Sequence, residues 1–306
     1  MDSFVTGATG FIGRHLVENL LKRKGKVYVL VRAGSKAKLK ALTDSLGADA
    51  DRVVAVTGDL GKPRLGVSPK QIASLKGKIG NVFHLAAIYD IANDDAAAQL
   101  KANVEGTRNA VTFAEAINAK CFHHTSSIAA AGLFRGYWRE DMFEEWEPTD
   151  QPYFRTKHDS EAVVRNECTI PWRIYRPGIV VGHSKTGFID KIDGPYFFFK
   201  MLQRIRNSVP RWLSLVGIEG GNMNIVPVDY VADAMDHIAH KPGLNGRTFH
   251  LTNPQHNPVG AVLNTYARAG HGPEFAMRID AGIFEFIPKA VREGIKNLPP
   301  VRTISD

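Results

Sequence analysis

One stretch constrains this chain more than any other. Gly7-Ala8-Thr9-Gly10-Phe11-Ile12-Gly13 stands between a short apolar segment, residues 3–6, and a helical pattern over residues 11–24. In that pattern Ile12, Leu16, Val17, Leu20 and Leu21 share one face. Strand, glycine turn and amphipathic helix in that order open a nucleotide-binding α/β domain. Each glycine has its own task there. Gly7 permits the tight turn, Gly10 lets the backbone approach a pyrophosphate, and Gly13 lets the helix pack closely on the strand. The helix N-terminus offers unpaired N–H groups and the positive end of its dipole to phosphate. Thr9, Phe11 and Ile12 complete the predicted cofactor-binding turn.

The rest of the chain continues the alternation. Gly25 ends the first helix. Residues 27–31 are an almost continuous apolar run, as in a strand buried on both faces. Further strands are expected over 53–57, 82–86, 121–125 and 172–175, and helices over 36–46, 103–118 and 153–167. This pattern predicts an α/β fold, a doubly wound parallel sheet of Rossmann type. Beyond Arg176 the pattern loosens. A loop is expected over 178–194, an aromatic-rich helix over 196–205, a strand over 225–228, a helix over 230–240 and a strand over 248–251. The tail from Asn257 reads as mainly helical, broken at Pro288, Pro299 and Pro300. The expected division is a nucleotide-binding core, 1–176, to which 223–251 returns, and a smaller substrate lobe made mainly of 177–306.

The end of the second strand selects the dinucleotide. An NAD site needs an acid there to accept from the ribose 2′-hydroxyl. Here the chain reads Val31-Arg32-Ala33, with no acid beside it. A guanidinium can grip a 2′-phosphate with its fork of donors, so NADPH is the expected cofactor. Arg14, at the start of the first helix, either assists or is simply a solvated helix residue. Asp59 and Leu60, after the third strand, are placed to flank the adenine; Asp59 either accepts from its amino group or caps a turn.

Tyr153-Phe154-Arg155-Thr156-Lys157 supplies the chemistry. A spacing of four puts the phenol and the ammonium on one helical face. An ammonium beside a phenol favours the phenolate, which lets a tyrosine exchange a proton with a carbonyl or alcohol oxygen near neutral pH. Thr125-Ser126-Ser127 ends the fifth strand, and open α/β sheets bind ligands at the carboxyl ends of their strands. Ser127 is thus placed to hold a substrate oxygen beside Tyr153.

With these residues in view, the chain resembles the extended short-chain dehydrogenases/reductases. The matching elements are the glycine turn, Gly58-Asp59-Leu60, His84-Leu85-Ala86-Ala87, Asn103-Val104-Glu105-Gly106-Thr107, Ser126-Ser127, Tyr153 to Lys157 and Arg176-Pro177-Gly178. The resemblance implies that Ser127 orients a carbonyl, Tyr153 donates the proton, and Lys157 supports it and binds ribose. It makes Asn103 either a fourth member acting through a water relay or a helix-capping amide. It also implies cofactor contacts at Ala86, Pro177 and Gly178. A closer resemblance, carried by residues 84–90, 123–134, 153–158, 176–183, 193–200 and 224–229, is to the N-terminal reductase domain of bacterial two-domain, alcohol-forming fatty acyl-CoA reductases. It implies NADPH-dependent reduction of a fatty aldehyde to the alcohol, with a C-terminal acyl-CoA reductase domain as partner in the whole protein. Thioester reduction by this domain itself is an alternative. A nucleotide-sugar epimerase or dehydratase and a non-catalytic NADP-binding scaffold are the other two.

Composition removes further classes. The 39 Lys+Arg and 31 Asp+Glu leave a formal net charge of +8. The clustered cations Lys22, Arg23, Lys24 and Lys26 sit at a helix C-terminus, where they oppose the dipole, so no nucleic-acid partner is expected. Cys121 and Cys168 form no Cys-x-x-Cys pair, and reduced thiols fit a cytoplasmic setting. His123 and His124 are neighbours in a strand and point to opposite faces, so no metal is expected there. The apolar stretch 128–134 is too short to span a bilayer, and with residues 1–6 read as a strand no signal peptide is expected. Leu133, Phe134, Tyr137, Trp138, Met142, Phe143 and Trp146 form one candidate wall of an acyl pocket. Tyr196, Phe197, Phe198, Phe199 and Met201 form another. Each residue equally suits the core of the small lobe. Phe284, Phe286 and Ile287 either pack in the core or touch a membrane surface or a second subunit.

Overall fold

In a computed structural model of the chain, described over residues 1–87, 101–190, 194–213, 215–219, 221–255 and 257–280, the alternation read from the sequence becomes one parallel sheet. Expectations at Ile88, Tyr89, Asp90, Asp193, Phe284, Phe286, Ile287, Pro288, Pro299 and Pro300 lie outside the described residues. Within them the chain divides into two units, Met1–Phe188 with Val226–Thr252, and Ile189–Ile225 with the residues from Asn253 onward.

The first unit begins β1 (Asp2–Thr6), α1 (Phe11–Leu21), β2 (Val27–Val31), α2 (Lys36–Ser45), β3 (Val53–Thr57), α3 (Pro69–Leu75) and β4 (Ile79–His84). It continues through α4 (Gly106–Ala116), β5 (Cys121–Thr125), α5 (Pro152–Glu167), β6 (Trp172–Pro177) and β7 (Ile179–Val181). The chain returns with β10 (Ile225–Pro227), α7 (Val228–His240) and β11 (Arg247–Leu251). The seven-stranded sheet has the order β11-β6-β5-β4-β1-β2-β3, and its pairs are parallel. Strand order reverses between β1 and β4, which opens the crevice where such sheets take their ligands.

Each face of the sheet buries its own core. On one, Val5, Val29 and Phe83 pack with Leu16, Val17 and Leu20 of α1 and with Val231 and Met235 of α7. On the other, Phe4, Val82 and Phe122 pack with Phe113 and Ala114 of α4 and Val164 of α5. Helices on both faces explain why the strands read as continuous apolar runs rather than alternating ones.

Several elements differ from expectation. The fourth strand starts earlier, at Ile79, and ends at His84. The helix expected from Asn103 begins as a π-turn, Lys101–Glu105, before α4. α3, capped by Ser68 Oγ accepting from Gln71 N, lies where no helix was read. β7 forms inside the expected loop and pairs with β10.

The second unit contains α6 (Phe198–Ser208), preceded by a 3₁₀ turn, then β8 (Leu215–Glu219) and β9 (Asn222–Met223). It also contains β12 (Asn257–Pro258), α8 (Val259–Ala269) and β13 (Phe275–Asp280). β13 pairs with β8 in parallel and β12 with β9 antiparallel, so the tail expected to be mainly helical is, over its described residues, a helix flanked by strands. The hydropathy of 277–280 alternates after an apolar start, which is strand periodicity that a helical reading of the tail passes over.

Candidate active site

The crevice between β1 and β4 is floored by the glycine turn. Gly7 has φ +74°, and a Cβ there would lie 2.7 Å from Ala86 N. Neither an L side chain's backbone preference nor the available space permits another residue. Gly10 N donates to Gly7 O at 2.9 Å and closes the turn. A Cβ on Gly13 would lie 2.1 Å from Gly7 O, so helix and turn are in direct backbone contact. α1 starts with no acid in its first turn and no side-chain cap on its N–H groups. The turn therefore has the cradle and the donors that a dinucleotide pyrophosphate requires. Ala86 N, at the opposite lip, donates to Thr6 Oγ1 at 3.3 Å.

Arg32 directly follows β2 and is exposed; its carbonyl accepts from Ser35 N at 2.8 Å, and its guanidinium has no partner among the described residues. Its donors are free for a ligand anion. Arg14 lies with its guanidinium carbon 5.8 Å from the Phe188 ring centroid. Of the two readings of Asp59, turn capping is visible: Oδ1 accepts from Gly61 N at 2.9 Å. Leu60 is held through its carbonyl, which accepts from Asn109 Nδ2 at 2.7 Å. Pro177 ends β6, and Gly178 N donates to Leu251 O at 3.1 Å.

Ser127, Tyr153, Lys157 and Asn103 all lie in the first unit. Ser127 follows β5, and its Oγ accepts from Ala129 N at 3.1 Å, which caps a 3₁₀ turn and holds the side chain beyond the strand end. Tyr153 is in the first turn of α5 and is buried. Lys157, one turn on, places Nζ 5.9 Å from the Tyr153 ring centroid and donates to Thr125 O at 3.2 Å. Burial lowers the Lys157 pKa to about 8. The geometry thus joins a phenol, an ammonium and a hydroxyl at one strand end, a set able to hold and protonate a carbonyl oxygen.

Sequence reasoning missed the supports of this set. Asn103 Nδ2 donates to Thr156 Oγ1 at 3.2 Å, and that hydroxyl donates to Tyr153 O at 3.1 Å. Thr107 Oγ1 donates to Asn103 O at 2.6 Å. Its oxygen can then accept from His84 Nε2, 3.1 Å away, while His84 Nδ1 accepts from Thr6 Oγ1 at 2.8 Å. Every donor in this chain has its acceptor only if His84 is neutral with the proton on Nε2. Burial, with Lys157 nearby, lowers the His84 pKa to about 3, in agreement with a neutral ring. A continuous polar chain therefore runs from the glycine turn through Thr6, His84, Thr107, Asn103 and Thr156 to the Tyr153 backbone.

A second support lies under Ser126. Its Oγ donates to Glu161 Oε2 at 2.9 Å, and Glu161 accepts from Arg176 at 2.6 and 3.1 Å and from Arg165 at 2.7 and 3.0 Å. Glu161 and Arg176 are fully buried. Arg176 Nη2 also donates to Met142 O at 2.9 Å, which pins the segment between Ser127 and Tyr153. The signal was in the sequence: Glu161 follows Lys157 by one helical turn, and Arg176 opens Arg-Pro-Gly.

The first candidate acyl wall lies in the same segment. Phe143 and Trp146 stack on the two faces of His158 at 4.4 and 3.9 Å between centroids. Trp138 covers the Arg176 guanidinium at 5.1 Å. Tyr137 is 89% exposed and Leu133 56%. His123 and His124 do face opposite sides. His123 bonds Tyr175 and Asn81 at 2.9 and 3.0 Å, whereas His124 stacks beside His84 at 5.7 Å.

Comparison with known proteins agrees with this geometry. Residues 5–235 match the family model described as male sterility protein, an NAD-binding family. The chain is 31% identical over 294 residues to the non-canonical nonribosomal peptide synthetase FrzA of Cladobotryum sp, covering 88% of this chain and 28% of that protein. It is 29% identical over 272 residues to the aldehyde reductase lnbA of Aspergillus flavus, covering 82% of this chain and 26% of that one. The chain thus spans about a quarter of the length of either relative. The crystal structure of the terminal R domain from the myxalamid PKS-NRPS biosynthetic pathway superposes with a TM-score of 0.76 at 30% identity, over 90% of this chain and 71% of that one. With the family model spanning most of its length and its parallel sheet matching a solved reductase domain, the chain belongs to the male sterility protein family of extended short-chain dehydrogenases/reductases, as an NAD(P)-dependent reductase domain.

Proposed function

We propose that this domain reduces a fatty aldehyde to the alcohol with NADPH. The observation that carries the reading is the buried Lys157 beside Tyr153, its ammonium on Thr125 O at the end of β5, two residues before Ser127. When bound, the reduced nicotinamide supplies the hydride to the carbonyl carbon. Ser127 Oγ holds the carbonyl oxygen, and Tyr153 gives that oxygen its phenolic proton as negative charge develops on it. Lys157, held by Thr125 O, stabilises the phenolate left behind and has donors to spare for a ribose hydroxyl. Asn103 fixes the first turn of α5 through Thr156. The unpaired Arg32 at the end of β2 supports NADPH over NADH, because its fork of donors suits a 2′-phosphate. Gly7, Thr9, Gly10, Phe11, Ile12 and Gly13 hold the pyrophosphate, and Ala86, Pro177 and Gly178 border the nicotinamide half. The similarity to an aldehyde reductase supports the substrate class.

A second reading has its own support. The likeness to a terminal R domain and to a synthetase of which this chain spans 28% favours reduction of a thioester carried by a larger protein. Both readings use the same residues. Following NADPH oxidation with a medium-chain aldehyde and, separately, with the matching acyl thioester distinguishes them. Turnover of the aldehyde alone supports the first reading and turnover of the thioester the second. Turnover of neither refutes both.

A further inference from the structure

The second unit contains a groove of about 790 Å³ between α6 and α8, lined in part by Tyr196 and Phe199 of the second candidate acyl wall. Its size is that of a ligand cavity. Its base is aromatic. Tyr196, Phe199 and Tyr266 interlock with ring centroids 5.1, 5.0 and 6.0 Å apart, and Phe199 remains 41% exposed. Leu202 and Ala267, both buried, continue the apolar surface.

The polar edge has one sign. Lys200, Gln203 and Arg206 recur every third residue and follow one side of α6 over about 9 Å. Lys200 has no hydrogen-bond or ion-pair partner among the described residues, and the partner of Arg206 is a neutral carbonyl, Gly270 O at 3.2 Å. No carboxylate lines the groove among the described residues. Burial, with Tyr196 nearby, pushes the Tyr266 phenol up to about 12, so it brings no negative charge of its own. An apolar trough with uncompensated cations along one edge is complementary to a molecule with an acyl chain and an anionic head.

We propose that this groove binds a single long-chain carboxylate, its chain along Phe199 and Tyr266 and its head between Lys200 and Arg206. A concave cavity suits one molecule, whereas adsorption to an anionic bilayer calls for an outward-facing apolar surface. The site is independent of the reductase reading, because its occupation needs neither cofactor nor aldehyde.

Calorimetric titration of the cofactor-free chain with monomeric dodecanoate, decanoate and dodecanol tests it. Dodecanoate is expected to bind one-to-one, roughly tenfold tighter than decanoate, since two methylenes leave water, and roughly tenfold tighter than dodecanol, which lacks the charge. Lys200→Gln with Arg206→Gln should bring dodecanoate down to the level of dodecanol and leave dodecanol unchanged. Should loss of the Gly270 contact unfold that variant, Lys200→Gln alone, at an exposed position, should still weaken dodecanoate at least threefold. Equal binding of dodecanoate and dodecanol, dodecanoate binding indifferent to Lys200, or association with anionic vesicles without binding of the monomer would each overturn the proposal.

Discussion

Lys157 should weaken the fold it serves. Its ammonium is buried, and burial moves its pKa from the ordinary 10.5 to about 8. At about 1.4 kcal/mol per pH unit, that gap corresponds to a cost of about 3 kcal/mol for keeping the charged form folded. The sign follows from proton binding. Between pH 8 and 10.5 the unfolded chain holds the proton and the folded chain does not, so stability rises with pH across that window; below 8 the full cost is present. Lys157→Met removes the charge but keeps an unbranched apolar stem. It also loses the bond to Thr125 O, a term of about 1 kcal/mol. The variant should therefore be more stable than the parent by about 2 kcal/mol at pH 7, and no more stable, or slightly less, at pH 10. Denaturant unfolding of both proteins at the two pH values measures this. A variant less stable at pH 7, or a difference that does not change with pH, would refute the reasoning.

Other outcomes follow from the same geometry. Arg32→Glu should shift the preference for NADPH over NADH by roughly a hundredfold, because it replaces an attraction for the 2′-phosphate with a repulsion; the ratio of the two dissociation constants measures it. Glu161→Gln should destabilise the fold by about 3–5 kcal/mol, because it leaves two guanidiniums facing a neutral amide in a buried site. Burial raises the Glu161 pKa, but Arg176 and Arg165 outweigh it and hold the carboxyl below its ordinary value. Its contribution is thus complete above the unfolded carboxyl's pKa and is lost as pH falls below it, so parent and variant should converge in acid unfolding.

The core of the fold was legible because its signals are local. β2 begins and ends where its apolar run does, since a strand covered on both faces carries no polar interruption. The glycine turn was legible because each of its glycines answers a steric demand made within a few residues or by the adjoining strand. What could not be read depends on distant partners. His84 looks like one letter of a motif until Thr6 and Thr107 are seen on its two nitrogens. Phe143 and Trp146 look like two unrelated aromatics until His158 lies between them. β7 is three residues long and follows a glycine, so only its pairing with β10 makes it a strand. The Lys157–Glu161 spacing was visible, but its use needed Arg176 from another strand.

The central claim is that Tyr153 delivers the proton to the substrate oxygen. The direct test is NADPH oxidation with decanal by the parent and by Tyr153→Phe, with NADPH binding measured in the same samples. The variant should bind NADPH as the parent does and turn over at least ~10²-fold more slowly, the usual contribution of a general acid. Turnover within a few-fold of the parent, with NADPH binding intact, would contradict the account.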